Sequence, residues 1–219
     1  EDNTRQAIEE RFGRPGLTVE GLRVEQIQSY LRTESPQTQY WLDFLRRAGA
    51  HNGANLAAVD TYIEQLKNEA HSRRRRILPF MLMISRAMRR SHPLRQLVVN
   101  YQGRFTPGIY SDLFDKYQPD LVITASPGFR LDRYLLREAV AHQVPTVSCI
   151  ISWDSSSSYG LPGAQINGRN QPHRITCWSQ IQKDELVGGA DWPDEHVNIG
   201  GMPPYDGYVR KEWVIPRQD

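Results

Sequence analysis

The sequence predicts an α/β fold built on a mostly parallel sheet, and two observations carry that expectation. From residue 119 onward, short continuous apolar runs alternate with segments of helical spacing, the texture of successive βαβ units. The runs at 121–124 and 145–151 also lack polar alternation, as strands covered on both faces do. At 219 residues, 39% hydrophobic and 24% charged, the chain can bury a sizeable core and is neither disordered nor collagen-like.

Taken in order, Asn3 or Thr4 can cap a first helix through Ala7, Ile8 and Phe12, stopped at Gly13-Arg14-Pro15-Gly16. Residues 17–24 alternate as a strand does, although Gly21 interrupts them. Residues 37–76 carry helical spacing (Tyr40, Trp41, Phe44, Leu45; then Leu56, Val59, Ile63, Leu66), divided into two helices at His51-Asn52-Gly53. A basic helix follows, with Pro79 placed in its first turn and Ile77, Met81, Ile84 and Met88 on one face. Thr106-Pro107 opens a helix that runs to Tyr117 and ends before Pro119. Then come a strand at 121–124, a helix at 132–142, a strand at 145–151 and a Ser/Gly/Asn-rich loop at 153–171. A strand at 175–178, a helix from Gln180 and a strand at 196–200 complete the pattern. The fold expected is thus Rossmann-like, with helices on both faces of the sheet. Residues 1–214 form the domain, 37–104 a helical insertion in it, and 215–219 the start of a linker. The chain opens on Glu1 with no initiator Met.

The net charge of +2 hides an asymmetry. Residues 67–104 hold ten basic side chains against Glu69 alone, a window of +9 that leaves −7 elsewhere. One reading is a basic amphipathic helix on an anionic membrane surface, touched by Arg73, Arg74, Arg75, Arg76, Arg89 and Arg90. The other is a core-facing helix with a solvated basic flank. Nucleic acid is disfavoured, because no aromatic residues interleave the arginines. No apolar run is long enough to span a bilayer, and Pro79 interrupts the longest. Two cysteines, 28 apart, and no Asn-x-Ser/Thr acceptor point to a reducing, cytoplasmic setting.

Parallel sheets bind ligands beyond the carboxyl ends of their strands. That rule selects Ser126, Gly128 and Arg130 after the first strand, then Trp153, Asp154 and Ser155 after the second. It also selects Gln180 after the third strand and Pro203 and Asp206 after the fourth. Asp154, following a buried strand and a tryptophan, is placed to take a proton from a hydroxyl; its alternative is an Asx-turn or cap. Trp153 can stack on a sugar or close the core edge, and Arg130 can hold phosphate or sit solvated at a helix start. Asp206 can line the cleft or cap the next segment. The six histidines show no ligand spacing, so no metal site is expected. G-x-S-x-G, G-x-x-x-x-G-K-[ST] and G-x-G-x-x-G are all absent, which removes the usual hydrolase, P-loop and dehydrogenase signatures.

Four stretches carry a resemblance: Pro119 to Thr124; Ser152-Trp153-Asp154 with Gly160 downstream; Trp178 to Lys183; and Ile199 to Asp206. In this order they resemble bacterial glycosyltransferases of the GT-B architecture, nearest to surface-carbohydrate enzymes related to glycerophosphotransferases. Ser155 stands where the family pattern has asparagine. The resemblance covers residues 119–210 and implies the N-terminal, acceptor-side half of such an enzyme, with the first strand of that domain missing ahead of Glu1. It further implies a nucleotide sugar as donor substrate, no other cofactor, and a carbohydrate or lipid-linked acceptor. The enzyme would be cytoplasmic, peripheral at the inner membrane face, with Asp154 as base. A chain holding only this half is expected to be silent in transfer by itself. Two rivals remain open at this stage: a non-catalytic Rossmann-like module for a phosphorylated ligand or protein partner, and half of a sugar-nucleotide epimerase.

Overall fold

A computed structural model describes residues 2–51, 56–69, 72–125, 132–150, 173–202 and 205–210. Helices dominate the first half of the chain: α1 Asp2–Phe12, α2 Val24–Thr33, α3 Pro36–Ala48, α4 Leu56–Glu69, α5 Ser72–Arg90, α6 His92–Gln102 and α7 Ser111–Tyr117. The second half alternates β1 Val122–Thr124, α8 Asp132–Ala141, β2 Thr146–Cys149, β3 His173–Cys177, α9 Gln180–Ala190, β4 Val197–Ile199 and the short α10 Asp206–Val209.

Helix α3 is the hub of the helical half. Pro36 presets its first turn, and Leu42, Phe44, Leu45 and Ala48 turn inward against α4, α5 and α6. Leu78, Met81 and Met88 of α5 and Val98 of α6 complete that core. At Gly49 a Cβ would lie 2.6 Å from the Leu45 carbonyl oxygen and 3.0 Å from Met88 Cε, so the end of α3 meets α5 only because the side chain is absent.

Two expectations fail in this half. Residues 17–23 form no strand, and α2 begins at Val24, in an element the reading from sequence lacked. The alternation at 17–24 has no strand to pair with among the described residues, and Leu22 is 60% exposed. Specific polar contacts hold the segment against α7 instead. Arg23 grips both carboxylate oxygens of Asp112, Tyr110 donates to the Leu22 carbonyl at 2.7 Å, and Glu20 accepts from Tyr117 at 2.6 Å. Pro79 lies inside α5 rather than in its first turn, because that helix already starts at Ser72. The buried face of α5 is accordingly Leu78, Met81, Ser85 and Met88, while Ile77 is exposed.

The four strands are parallel in the order β1-β2-β3-β4, with Thr124, Ser148, Ile175 and Val197 abreast. The parallel α/β expectation is met. Residues on alternate positions fare differently: Val122, Thr124, Thr146, Ser148, His173, Ile175 and Val197 are buried, whereas Ile123 is 63% exposed and Arg174 and Asn198 are also exposed. Val147, Cys149 and Thr176 of the central strands are half-buried, so among the described residues one face is fully covered and the other only in part. Strand order explains this. The β1–β2 and β3–β4 crossovers step the same way, and right-handed crossovers of one direction put their helices on one side of the sheet. In agreement, α8 packs Tyr134 and Ala139 with Val122, and α9 packs Leu186 and Ala190 with Ile175 and Val197.

Two arginine–carboxylate clamps join the halves. Arg95 of α6, 3% exposed, donates from Nε and Nη2 to Asp191 at 2.6 and 2.7 Å, just past α9. Arg133 of α8 donates to both oxygens of Asp43 on α3 at 2.9 and 3.0 Å. Arg95 makes the two-nitrogen fork, the strong geometry for guanidinium and carboxylate, whereas Arg133 spans both oxygens from Nη1 alone.

Candidate functional site

Parallel register brings every described strand end to one edge. There β3 runs into Trp178-Ser179, β4 into Gly200-Gly201-Met202, and β2 into Ile150. The Gly200 amide closes onto the Cys177 carbonyl at 2.8 Å, and Gly201 then turns the chain at φ +76, a left-handed conformation that glycine adopts without steric cost.

Trp178 anchors this edge. Its indole Nε1 donates to the Ile150 carbonyl at 2.8 Å, and its backbone amide donates to Gln182 Oε1 at 2.7 Å. Ser179 is the N-cap of α9, its Oγ accepting from the Gln182 amide at 3.4 Å. The Tyr205 ring stands edge-on to Trp178, centroids 6.1 Å apart at 74°. Trp178 is half-buried, while Tyr205, Met202 and Ile181 are exposed, the last by 73%. Together they give this edge an apolar, aromatic rim.

Of the residues selected from sequence, the described part places Gln180 and Asp206 on this edge. Gln180 opens α9, is exposed, and donates to Asp184 Oδ1 at 2.7 Å. Asp206 opens α10 and is exposed. Ser126, Gly128, Arg130, Trp153, Asp154, Ser155 and Pro203 lie outside the described residues. Trp178 was not among the selected residues, and Tyr205 entered only as part of the loop from Pro203 to Asp206; the signal for Trp178 was an aromatic one residue past a strand.

The basic run divides by environment. Arg75, Arg76 and Arg90 are exposed. Arg74 lies 3.8 Å over the Tyr40 ring, and Arg89 donates to the Ala48 carbonyl at 2.9 Å, so both are tied to the helical core. The side chain of Arg73 is outside the described set. The apolar residues left outside the core on these helices are Ile77, Phe80 and Met83 of α5 with Leu94, Leu97 and Tyr101 of α6.

Other groups sit away from the carboxyl edge. His173, at the amino end of β3, accepts or donates to Thr146 Oγ1 through Nδ1, and burial, aided by His196, pushes its pKa down to about 4. It is neutral at physiological pH. A cleft of about 540 Å³ lined by Phe114, Asp115, Gln118, Pro119, His142 and Val144 opens at the amino-terminal edge, the opposite end from where parallel sheets carry ligands. Cys149 and Cys177 are free thiols; in the strand register they point to opposite faces. Among the described residues no cluster of His, Cys, Asp or Glu is arranged to hold a metal, and no helix is long and apolar enough to cross a membrane. No protein-family model matches the chain, and neither a curated protein nor a solved structure is detectably similar to it.

Proposed function

We propose that the chain is the acceptor-side part of a glycosyltransferase that uses a nucleotide-sugar donor. The observation that supports this reading is the Trp178–Tyr205 pair at the carboxyl edge of a parallel sheet, locked by the indole bond to Ile150. A half-buried ring fixed by its own hydrogen bond is a preformed stacking platform, and preorganisation lowers the entropy lost on binding a flexible oligosaccharide. In this reading Gln180, Asp206 and Pro203 line the acceptor cleft together with Ser126, Gly128, Arg130, Trp153 and Ser155. Asp154, following β2, takes the proton from the attacking hydroxyl. The acceptor is a surface carbohydrate or a lipid-linked glycan. The exposed stripe of Ile77, Phe80 and Met83 beside Arg76 and Arg90 favours contact with an anionic, cytoplasm-facing membrane that carries it.

Calorimetric titration with oligosaccharide acceptors and with nucleotide sugars tests the reading. Saturable acceptor binding is expected, weakened at least tenfold by Trp178→Ala. Acceptor heats that are absent, or indifferent to that substitution, would remove it.

A further inference from the structure

Three guanidiniums and one carboxylate meet where α3, α6 and α8 converge. Arg133 Nη1 spans both oxygens of Asp43, and Gln102 Nε2 donates to the same carboxylate at 2.6 Å. Arg46 donates to Gln102 Oε1, and Arg137, one turn beyond Arg133, donates to the Phe105 carbonyl at 2.8 Å. Asp43 is thus the one carboxylate bonded to this group among the described residues. Arg137 is buried, Arg46 half-buried, and the Arg133 side chain 20% exposed. The Arg133 Nε–H is buried and has no hydrogen-bond partner.

A partly desolvated cluster with two positive charges in excess is costly unless a counter-charge completes it. Two of the three arginines register the shortage, while Arg133, although burial opposes it, is held up by Asp43 and Tyr134. Burial first, then the neighbouring charge of Arg137, pushes Arg46 down to about 9, with Asp43 opposing; Arg137 is lowered by burial and by Arg133. Arg133 is also the second residue of α8, whose amino terminus follows the carboxyl end of β1. The dipole of that helix adds to the positive potential at the same end of the sheet as the Trp178 rim.

We propose that Arg46, Arg133 and Arg137 form a binding site for the diphosphate group of a ligand, with the unpaired Arg133 Nε–H as one of its donors. Guanidinium forks match phosphate oxygens two at a time, and a group with several negative oxygens can engage more than one fork. Asp43 holds the cluster together in the empty state and competes with the ligand for Arg133. The site stands whether or not the chain takes part in sugar transfer.

Titrating the whole chain with pyrophosphate at low ionic strength tests this. One saturable site is expected, weakened at least tenfold by Arg133→Gln and by Arg46→Gln. It should be unchanged by the triple Arg74→Gln, Arg75→Gln, Arg76→Gln variant of α5. Asp43→Asn should bind several-fold more tightly, since it removes the competing carboxylate. Should Arg133→Gln not fold, the side-chain Nε–H resonance of Arg133 in the unaltered chain decides. A shift that saturates with pyrophosphate supports the site, and a stationary resonance overturns it. Absence of saturable binding, or binding lost in the α5 triple variant but kept in Arg133→Gln, also overturns it. Uridine diphosphate and geranyl diphosphate then separate a nucleotide from a lipid source. Displacement of pyrophosphate by either supports the site and names the source, and displacement by neither overturns it.

Discussion

His173 shows how one side chain couples this fold to pH. Its ring lies 5.1 Å from that of Trp192, its Nδ1 is engaged by Thr146, and its Nε2 has no partner. In the unfolded chain an ordinary histidine takes up its proton near pH 6.5, whereas here protonation waits until about 4. Between those values the unfolded state holds the extra proton, so stability falls as pH drops through that window, by up to roughly 3 kcal/mol. Asp43 and Asp191 act lower. Burial would raise both, but Arg133 and Arg95 outweigh it and hold them below the usual carboxylate range, so their contribution drains only in stronger acid. Urea midpoints measured from pH 7 to 5 should therefore decline in the natural chain and stay nearly level in His173→Gln. An equal slope in both would assign the loss to other groups.

At the scale of elements, α5 and α6 bury one face and leave apolar side chains on another. Leu78, Met81 and Met88 are in the core, while Phe80, Met83, Leu97 and Tyr101 face outward beside Arg76, Arg86, Arg90 and Arg104. Apolar and cationic residues mixed on one exposed surface suit an interface with anionic lipid. The chain should float with vesicles that contain phosphatidylglycerol and not with phosphatidylcholine alone, and Phe80→Ser with Met83→Ser should abolish flotation. Equal recovery with both vesicle types would sink the membrane contact.

Element type was readable from sequence wherever a pattern had one physical solution. Val122, Ile123 and Val147 sit in short β-branched runs behind prolines, and the strands fall there. Residues 17–24 had the alternation of a strand but no strand to pair with among the described residues, which only the tertiary structure reveals. Ile27, Tyr30 and Leu31 carried a helical signal for α2 that the apparent strand masked. The strand-end rule put Gln180 and Asp206 at the carboxyl edge because their positions are set by neighbours in sequence. The arginine cluster was invisible to it, since Asp43 and Arg133 are 90 residues apart and meet only after α3 packs on α8.

For the whole molecule, the clamps between the helical half and the sheet half carry disproportionate weight. Asp191→Ala leaves Arg95 buried with its charge unanswered, a loss of about 3–5 kcal/mol in comparable buried pairs. Urea unfolding should show that loss as a lower midpoint, whereas a shift under about 1 kcal/mol would mean solvent reaches Arg95. The two clamps also run in opposite senses: Arg95 reaches from the helices to Asp191, and Arg133 reaches from the sheet side to Asp43. Neither half can peel away alone without stranding one cation and one anion of its own. The consequence is cooperativity. Amides in α3 and in α9 should exchange with deuterium through a shared opening event, so that these two elements behave as one folding unit although they pack in separate core clusters.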